Sequence, residues 1–167
     1  FFGRRLHEMI DVPIGLILAN KGGTMVESWL NEDNLKCYTN EPVDSAEIAE
    51  RYPTDWLRPL LWGNGTFHPI LNYSIRGIIY YQGCSNVDHN PNTYAERLSR
   101  LISQWRSDFK VPNLPFYFVE IAPYSYGNAL DTAAASIRMQ QQTVAESVGN
   151  AVLIGTNDLV YPVEAEQ

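Results

Sequence analysis

Gln82, Gly83, Ser85 and Asn86 stand directly after a short apolar run, Ile78-Ile79-Tyr80-Tyr81. Two carboxamides and a glycine N–H are neutral hydrogen-bond donors. Neutral donors gathered at one point suit an oxyanion hole, where negative charge develops during acyl transfer. A second donor-rich stretch, Asn20-Lys21-Gly22-Gly23-Thr24, follows the apolar run from Ile14 to Ala19. Paired glycines accept positive φ and close backbone approach, so Gly22 and Gly23 can turn their N–H groups toward a ligand. A plain tight turn is the other reading of that pair. Near the end, Asp158, Glu164 and Glu166 are carboxylates of the kind that orient a histidine base, although His7, His68 and His89 are all distant from them in sequence.

Other chemistries find less support. Neither a GxGxxG nor a P-loop pattern occurs, so a dinucleotide or phosphate site is not expected. The three histidines lack metal-ligand spacing, and no metal or cofactor is expected. A GxSxG nucleophile elbow is absent. Trp56, Trp62 and Phe67 form an aromatic group around Trp62-Gly63-Asn64-Gly65. Core packing is the ordinary use of such residues; lining a sugar-sized pocket is the functional one. His68, before Pro69, reads either as a structural histidine or as part of that pocket.

These residues need elements to position them. An apolar run bounded by glycine or polar residues reads as a buried strand. Four such runs occur, at Ile14–Ala19, Ile78–Tyr81, Phe116–Ala122 and Ala151–Gly155. Helical spacing marks residues 1–10, ended at Asp11-Val12-Pro13 because the residue before proline avoids the helical region. It also marks Tyr94–Phe109, with Leu98, Leu101, Ile102 and Trp105 on one stripe, and about Thr132–Ser147, closed by Gly149-Asn150. Met25–Leu30 reads as a helix start. Asp44 is placed to cap a helix over residues 46–52. Strands alternating with helices predict an α/β fold, a parallel sheet with helices on both faces. Ligands bind past the carboxyl ends of such strands. The loops carrying Gly22-Gly23, Gln82–Asn86, Tyr124–Asn128 and Asn157-Asp158 are therefore expected along one edge.

Composition bounds the rest. The chain has 167 residues, a net charge of −7 and 45% hydrophobic residues, enough for one domain with a sizeable core. Its acidic balance disfavours nucleic acid and anionic membranes as partners. No run approaches the roughly 20 apolar residues of a membrane helix. Cys37 and Cys84 lack metal spacing, and two free buried thiols are a simpler reading than a disulfide. Phe1–His7 reads as the later turns of a helix and Glu164–Gln167 stops in mid-phrase, so the expectation is a single domain over 1–167 that is truncated at both ends.

Several blocks carry a resemblance. Gly22-Gly23-Thr24-Met25-Val26-Glu27-Ser28-Trp29 looks like the "GGTPVE-W" stretch of the sialate O-acetylesterases, and Tyr80-Tyr81-Gln82-Gly83-Cys84-Ser85-Asn86 resembles their "WYQGESN" block. Phe116–Tyr124 and Met139-Gln140-Gln141-Gln142 are similar to further blocks in the same order. The likeness spans essentially the whole chain. It implies an SGNH-group esterase with a flavodoxin-like three-layer α/β/α sandwich, incomplete in this chain. It also implies an O-acetylated sugar as substrate, sialic acid first and acetylated plant sugars second, and a secreted, periplasmic or lysosomal-type compartment. In that family a serine nucleophile follows the first strand in a "GQSNM"-like block, and the histidine follows the last strand. Neither block occurs here, so the resemblance implies that this chain alone is inactive. What carries over is the oxyanion side: the Gly22 or Gly23 N–H and the Gln82 or Asn86 amide, with Glu166 or Asp158 as the acid, and Trp62, His68 and Tyr124 as substrate contacts. The family block has Glu where this chain has Cys84. A Cys84 nucleophile is an alternative without an identifiable base. A catalytically inactive carbohydrate-binding or structural domain of the same fold is the reading from another class. The oligomeric state is not legible.

Overall fold

A computed structural model describes residues 1–124 and 132–159 of the chain. Helix α1 spans Phe2–Ile10 and ends at Asp11, whose positive φ of 51° turns the chain out of the helix. Two short helices follow, α2 at Glu32–Leu35 and α3 at Ser45–Arg51. The Asp44 side chain caps α3 by accepting from the Ala46 and Glu47 N–H groups, as its position predicts. The ordered core then runs β1 (Ile78–Tyr80), α4 (Tyr94–Asp108), β2 (Phe116–Val119), α5 (Ala133–Ser147) and β3 (Ala151–Ile154). The strands form a parallel sheet in the order β1-β2-β3, with Ile78 opposite Phe116 and Phe116 opposite Ala151.

Both crossovers step in the same direction across the sheet. Right-handed connections therefore put α4 and α5 on the same face. That face is the core. Tyr80, Phe116, Phe118 and Ala151 point into it, against Leu98, Leu101, Ile102 and Trp105 of α4 and Ile137 and Val144 of α5. Phe67 stacks on Trp105 at 4.1 Å between centroids, and Trp29 meets the same ring edge-on at 6.4 Å. Each large apolar side chain so buried contributes roughly 1.5–3 kcal/mol. The alternate strand residues, Ile79, Tyr117, Val152 and Ile154, are exposed. Among the described residues the fold is thus an incomplete α/β sandwich, with one of the two expected helix layers present on the sheet.

Three expectations need correction. Ile14–Ala19 is extended but belongs to no ladder among the described residues, and Leu16, Ile17 and Leu18 are exposed rather than buried. Apolar character predicts a wish for burial, but a strand exists only where a neighbour satisfies its backbone. Met25–Leu30 forms a single 3₁₀ turn, Val26–Ser28, instead of opening a helix. Cys37 and Cys84 are both free, as read, but exposed. No described helix is long and apolar enough to cross a membrane.

Candidate functional site

The site is built where β1 ends. Gly83 takes a φ of 138°, and a Cβ there would stand 2.8 Å from Ile121 Cγ2 and 3.2 Å from the Tyr94 hydroxyl. Only glycine lets the chain turn this close to the core. The chain then enters a 3₁₀ turn over Cys84–Asn86, with Asn86 buried. Gly23 has a φ of 78°, and a Cβ on it would lie 2.9 Å from Trp56 Cδ1. The two loops meet: Ser85 Oγ donates to the Gly23 carbonyl at 2.9 Å, and Gln82 Nε2 donates to the Thr24 carbonyl at 3.0 Å.

Gln82 and Asn86 hold this junction. Gln82 Nε2 also donates to Asn86 Oδ1 at 2.7 Å, while Gln82 Oε1 accepts from the Tyr80 and Tyr94 hydroxyls. Asn86 Oδ1 accepts from the Val26 N–H at 3.0 Å; Asn86 Nδ2 donates to Glu27 Oε2 at 2.9 Å and to the His89 carbonyl at 3.2 Å. A flipped Asn86 amide would oppose its NH₂ to the Val26 N–H, so the partners assign the orientation. Both amides are buried, and both N–H donors of each are engaged within the protein. To reach an oxyanion, either amide would have to give up one of these bonds. In contrast, the N–H groups of Gly22 and Gly23 have no hydrogen-bond partner among the described residues, and both glycines are exposed.

Behind the amides lies a charge cluster that reasoning from the sequence missed. Arg97 Nη1 donates to Glu27 Oε1 and Glu41 Oε1, both at 2.7 Å, and all three side chains are inaccessible to solvent to within 1%. Arg97 Nε donates to Thr93 Oγ1, and the guanidinium lies 4.0 Å from the centre of the Tyr38 ring. Asn90, held at a positive φ of 54°, donates to Glu41 at 2.8 Å. Burial pushes the Glu27 carboxyl above its ordinary range, and the Arg97 charge and the Asn86 hydrogen bond oppose that shift. Breaking such a buried pair by removing one partner typically costs about 3–5 kcal/mol. One signal was available: Arg97 falls on the same helical face as Leu98, Leu101 and Tyr94, where an arginine is buried only if paired.

The other candidates divide. Trp62 comes to the Gly22–Gly23 loop: Lys21 Nζ sits 5.0 Å from its ring centre, and its Nε1 donates to the Asp55 carbonyl at 3.3 Å. Trp56, 45% exposed, flanks Gly23. Tyr124 and Asp158 are exposed past the carboxyl ends of β2 and β3, on the expected edge. Thr156 and Asn157 there donate to the Glu120 side chain. His68 is not brought to this edge. It is exposed and lies near Asp108, in the last turn of α4, which runs antiparallel to the strands and so ends at their amino-terminal side. Glu164, Glu166 and residues 125–128 lie outside the described residues. Cys84 sits on the surface beside the Tyr81 hydroxyl. No histidine is hydrogen-bonded to a serine or cysteine among the described residues, so no nucleophile–base pair is formed by them.

A parallel sheet with crossover helices, and with polar loops tied together at the carboxyl end of β1, defines an α/β protein whose candidate site lies at the strand ends. Residues 1–164 match the family described as carbohydrate esterase, sialic acid-specific acetylesterase, and the chain belongs to that family. The sialate O-acetylesterase of Mus musculus is 29% identical over 172 residues, covering 84% of this chain and 32% of that protein. The Homo sapiens sialate O-acetylesterase is 33% identical over 113 residues, covering 65% of this chain and 20% of its own length. A carbohydrate acetylesterase from Xanthomonas citri has the same fold, with a TM-score of 0.77 at 24% identity, over 92% of this chain and 32% of that one. The chain thus spans about a third or less of the relatives it matches.

Proposed function

We propose that this chain supplies the oxyanion-stabilising side of a carbohydrate O-acetylesterase, acting on acetyl esters of sugars, with O-acetylated sialic acid as the first substrate class. The observation that carries the reading is the pair of N–H groups at Gly22 and Gly23 that have no partner among the described residues, on a turn fastened to the end of β1 by Gln82 and Ser85. Hydrolysis of an acetyl ester passes through a tetrahedral intermediate whose oxygen carries negative charge. A fixed N–H aimed at that oxygen is typically worth about 3 kcal/mol of barrier. The nucleophile and base are contributed by residues outside the described ones. Trp56 and Trp62 offer apolar faces to the sugar ring, and Lys21 a positive charge at its rim.

The test is acetate release by the full-length protein from O-acetylated sialic acid and from acetylated xylan. Gln82→Ala is expected to lower kcat about 10- to 100-fold with a small change in KM, because displacing an oriented donor by about 1 Å is enough for such a loss. Unchanged kcat in that variant would sink the assignment.

A second reading, a catalytically inactive sugar-binding domain, is favoured by one specific observation. Every N–H of the Gln82 and Asn86 amides is already engaged. Binding of the acetylated sugar without acetate release would establish it.

A further inference from the structure

We infer that Glu27 and Arg97 are positioning residues for this site. They set the Gly22–Gly23 turn through Asn86; the inference rests on the esterase reading. Glu27 works with both oxygens at once. Its Oε1 accepts from Arg97 Nη1 at 2.7 Å, and its Oε2 accepts from Asn86 Nδ2 at 2.9 Å. Two acceptors on one terminus are a property of a carboxylate that a carboxamide lacks. The Asn86 amide so anchored turns its oxygen to the Val26 N–H and to Gln82 Nε2, and Gln82 in turn holds the Thr24 carbonyl. The path therefore runs from the charge on α4 to the peptide next to Gly23 in four hydrogen bonds: Arg97 to Glu27, Asn86 to Glu27, Gln82 to Asn86, and Gln82 to Thr24.

The cluster is more elaborate than packing requires. An apolar trio of similar volume would fill the same space without the desolvation penalty of three buried charges. A carboxylate at position 27 is the group that can join an arginine and an asparagine across this loop. Arg97 is itself oriented from two other sides, by Thr93 Oγ1 and by the Tyr38 ring at 4.0 Å, so its own freedom is small. Neither Glu27 nor Arg97 reaches the surface where a substrate would lie, so their effect on the reaction passes through the loop.

The variant Glu27→Gln keeps the shape. Whichever way its amide turns, it sets an NH₂ against either Arg97 Nη1 or Asn86 Nδ2, and one of the two contacts is lost. In the full-length protein it is expected to lower kcat about 10- to 100-fold with KM changed by less than about threefold. Amide hydrogen exchange is expected to speed up in residues 22–27 and 82–86. Val144→Ala, which opens the buried face of α5, is the control: it lowers Tm and leaves kcat and the exchange of those two segments as in the wild type. If Glu27→Gln does not fold, Arg97→Lys, which keeps the charge but not the fork of donors, is expected to give a smaller loss of the same pattern. A variant with the Tm of Val144→Ala, wild-type kcat and unchanged exchange would overturn the inference. If the wild type releases no acetate, the esterase reading falls by itself. Exchange at residues 22–27 then decides the positioning role: faster exchange in Glu27→Gln supports it and unchanged exchange overturns it.

Discussion

The Asn86 side chain makes four hydrogen bonds, the full complement of a carboxamide, and all four are internal. Its type and place at the end of an apolar run are plain in the sequence, and so is the closeness of Gln82. What those amides face is not. Each was a candidate donor to an oxyanion, and the structure turns both toward the protein, leaving backbone N–H groups at Gly22 and Gly23 as the exposed donors. The reason is the acidic residue Glu27, 59 positions away from Asn86 in sequence, which no local pattern connects to it. Beside it, the Ser28 hydroxyl is buried without a partner among the described residues. Since a buried hydroxyl without a partner carries its desolvation penalty uncompensated, Ser28→Ala is expected to leave stability unchanged or raise it by up to about 1 kcal/mol, read as an equal or higher midpoint in urea unfolding. A fall of Tm would show that the hydroxyl has a partner that matters.

At the scale of elements, periodicity was a good guide where a helix has one wet and one dry face. α4 and α5 appear within a residue or two of their expected limits, and Asp44 caps α3 as its side chain predicts. Strand limits were less legible. β2 ends at Val119, not Ala122, and the run Ile14–Ala19 pairs with no strand among the described residues. A helix satisfies its own backbone, so its sequence nearly suffices; a strand depends on a neighbour that the local sequence does not specify. The same argument applies to the turn between β1 and the site. Gly83 holds a conformation that L residues rarely adopt, with Ile121 Cγ2 only 2.8 Å from where a Cβ would be. Gly83→Ala is expected to lower stability by about 2–3 kcal/mol through strain and displaced packing, measured by chemical denaturation. Gly22→Ala, where a Cβ meets nothing within 4 Å, is expected to change stability by less than about 0.5 kcal/mol.

At the scale of the whole molecule, burial controls how the protein responds to pH. Tyr80 and Tyr94 are held above the ordinary tyrosine range by burial, and burial pushes Tyr52 up to about 12. The folded state therefore keeps protons that the unfolded chain releases near pH 10. With more protons bound in the native state, stability falls as pH rises from about 10 toward the folded values. Thermal melts are expected to be flat with respect to these groups up to about pH 9 and to drop steadily beyond it. Tyr94→Phe removes a hydroxyl that bonds Gln82, so it is expected to start from a lower Tm at pH 8 and to decline with a shallower slope. An unchanged alkaline slope in that variant would contradict the assignment of the loss to buried tyrosines.

The sequence by itself determined the α/β class, the two amphipathic helices, the polar stop after β1 and the family. Each of these follows from neighbours along the chain: period, caps, glycine placement and contiguous motifs. Only the tertiary structure decided which donors stay exposed, which helix layer covers the sheet and where His68 lies. It also decided that a buried arginine and two carboxylates stand behind the site. Those outcomes depend on groups 49 to 70 residues apart meeting in a dry interior. There an unpaired polar atom is costly enough to dictate its partner, and that constraint becomes visible only once the chain is folded. The Gly22–Gly23 turn follows the same division: its glycines are legible as a turn, and its attachment to the end of β1 through Ser85 and Gln82 is visible only in the fold.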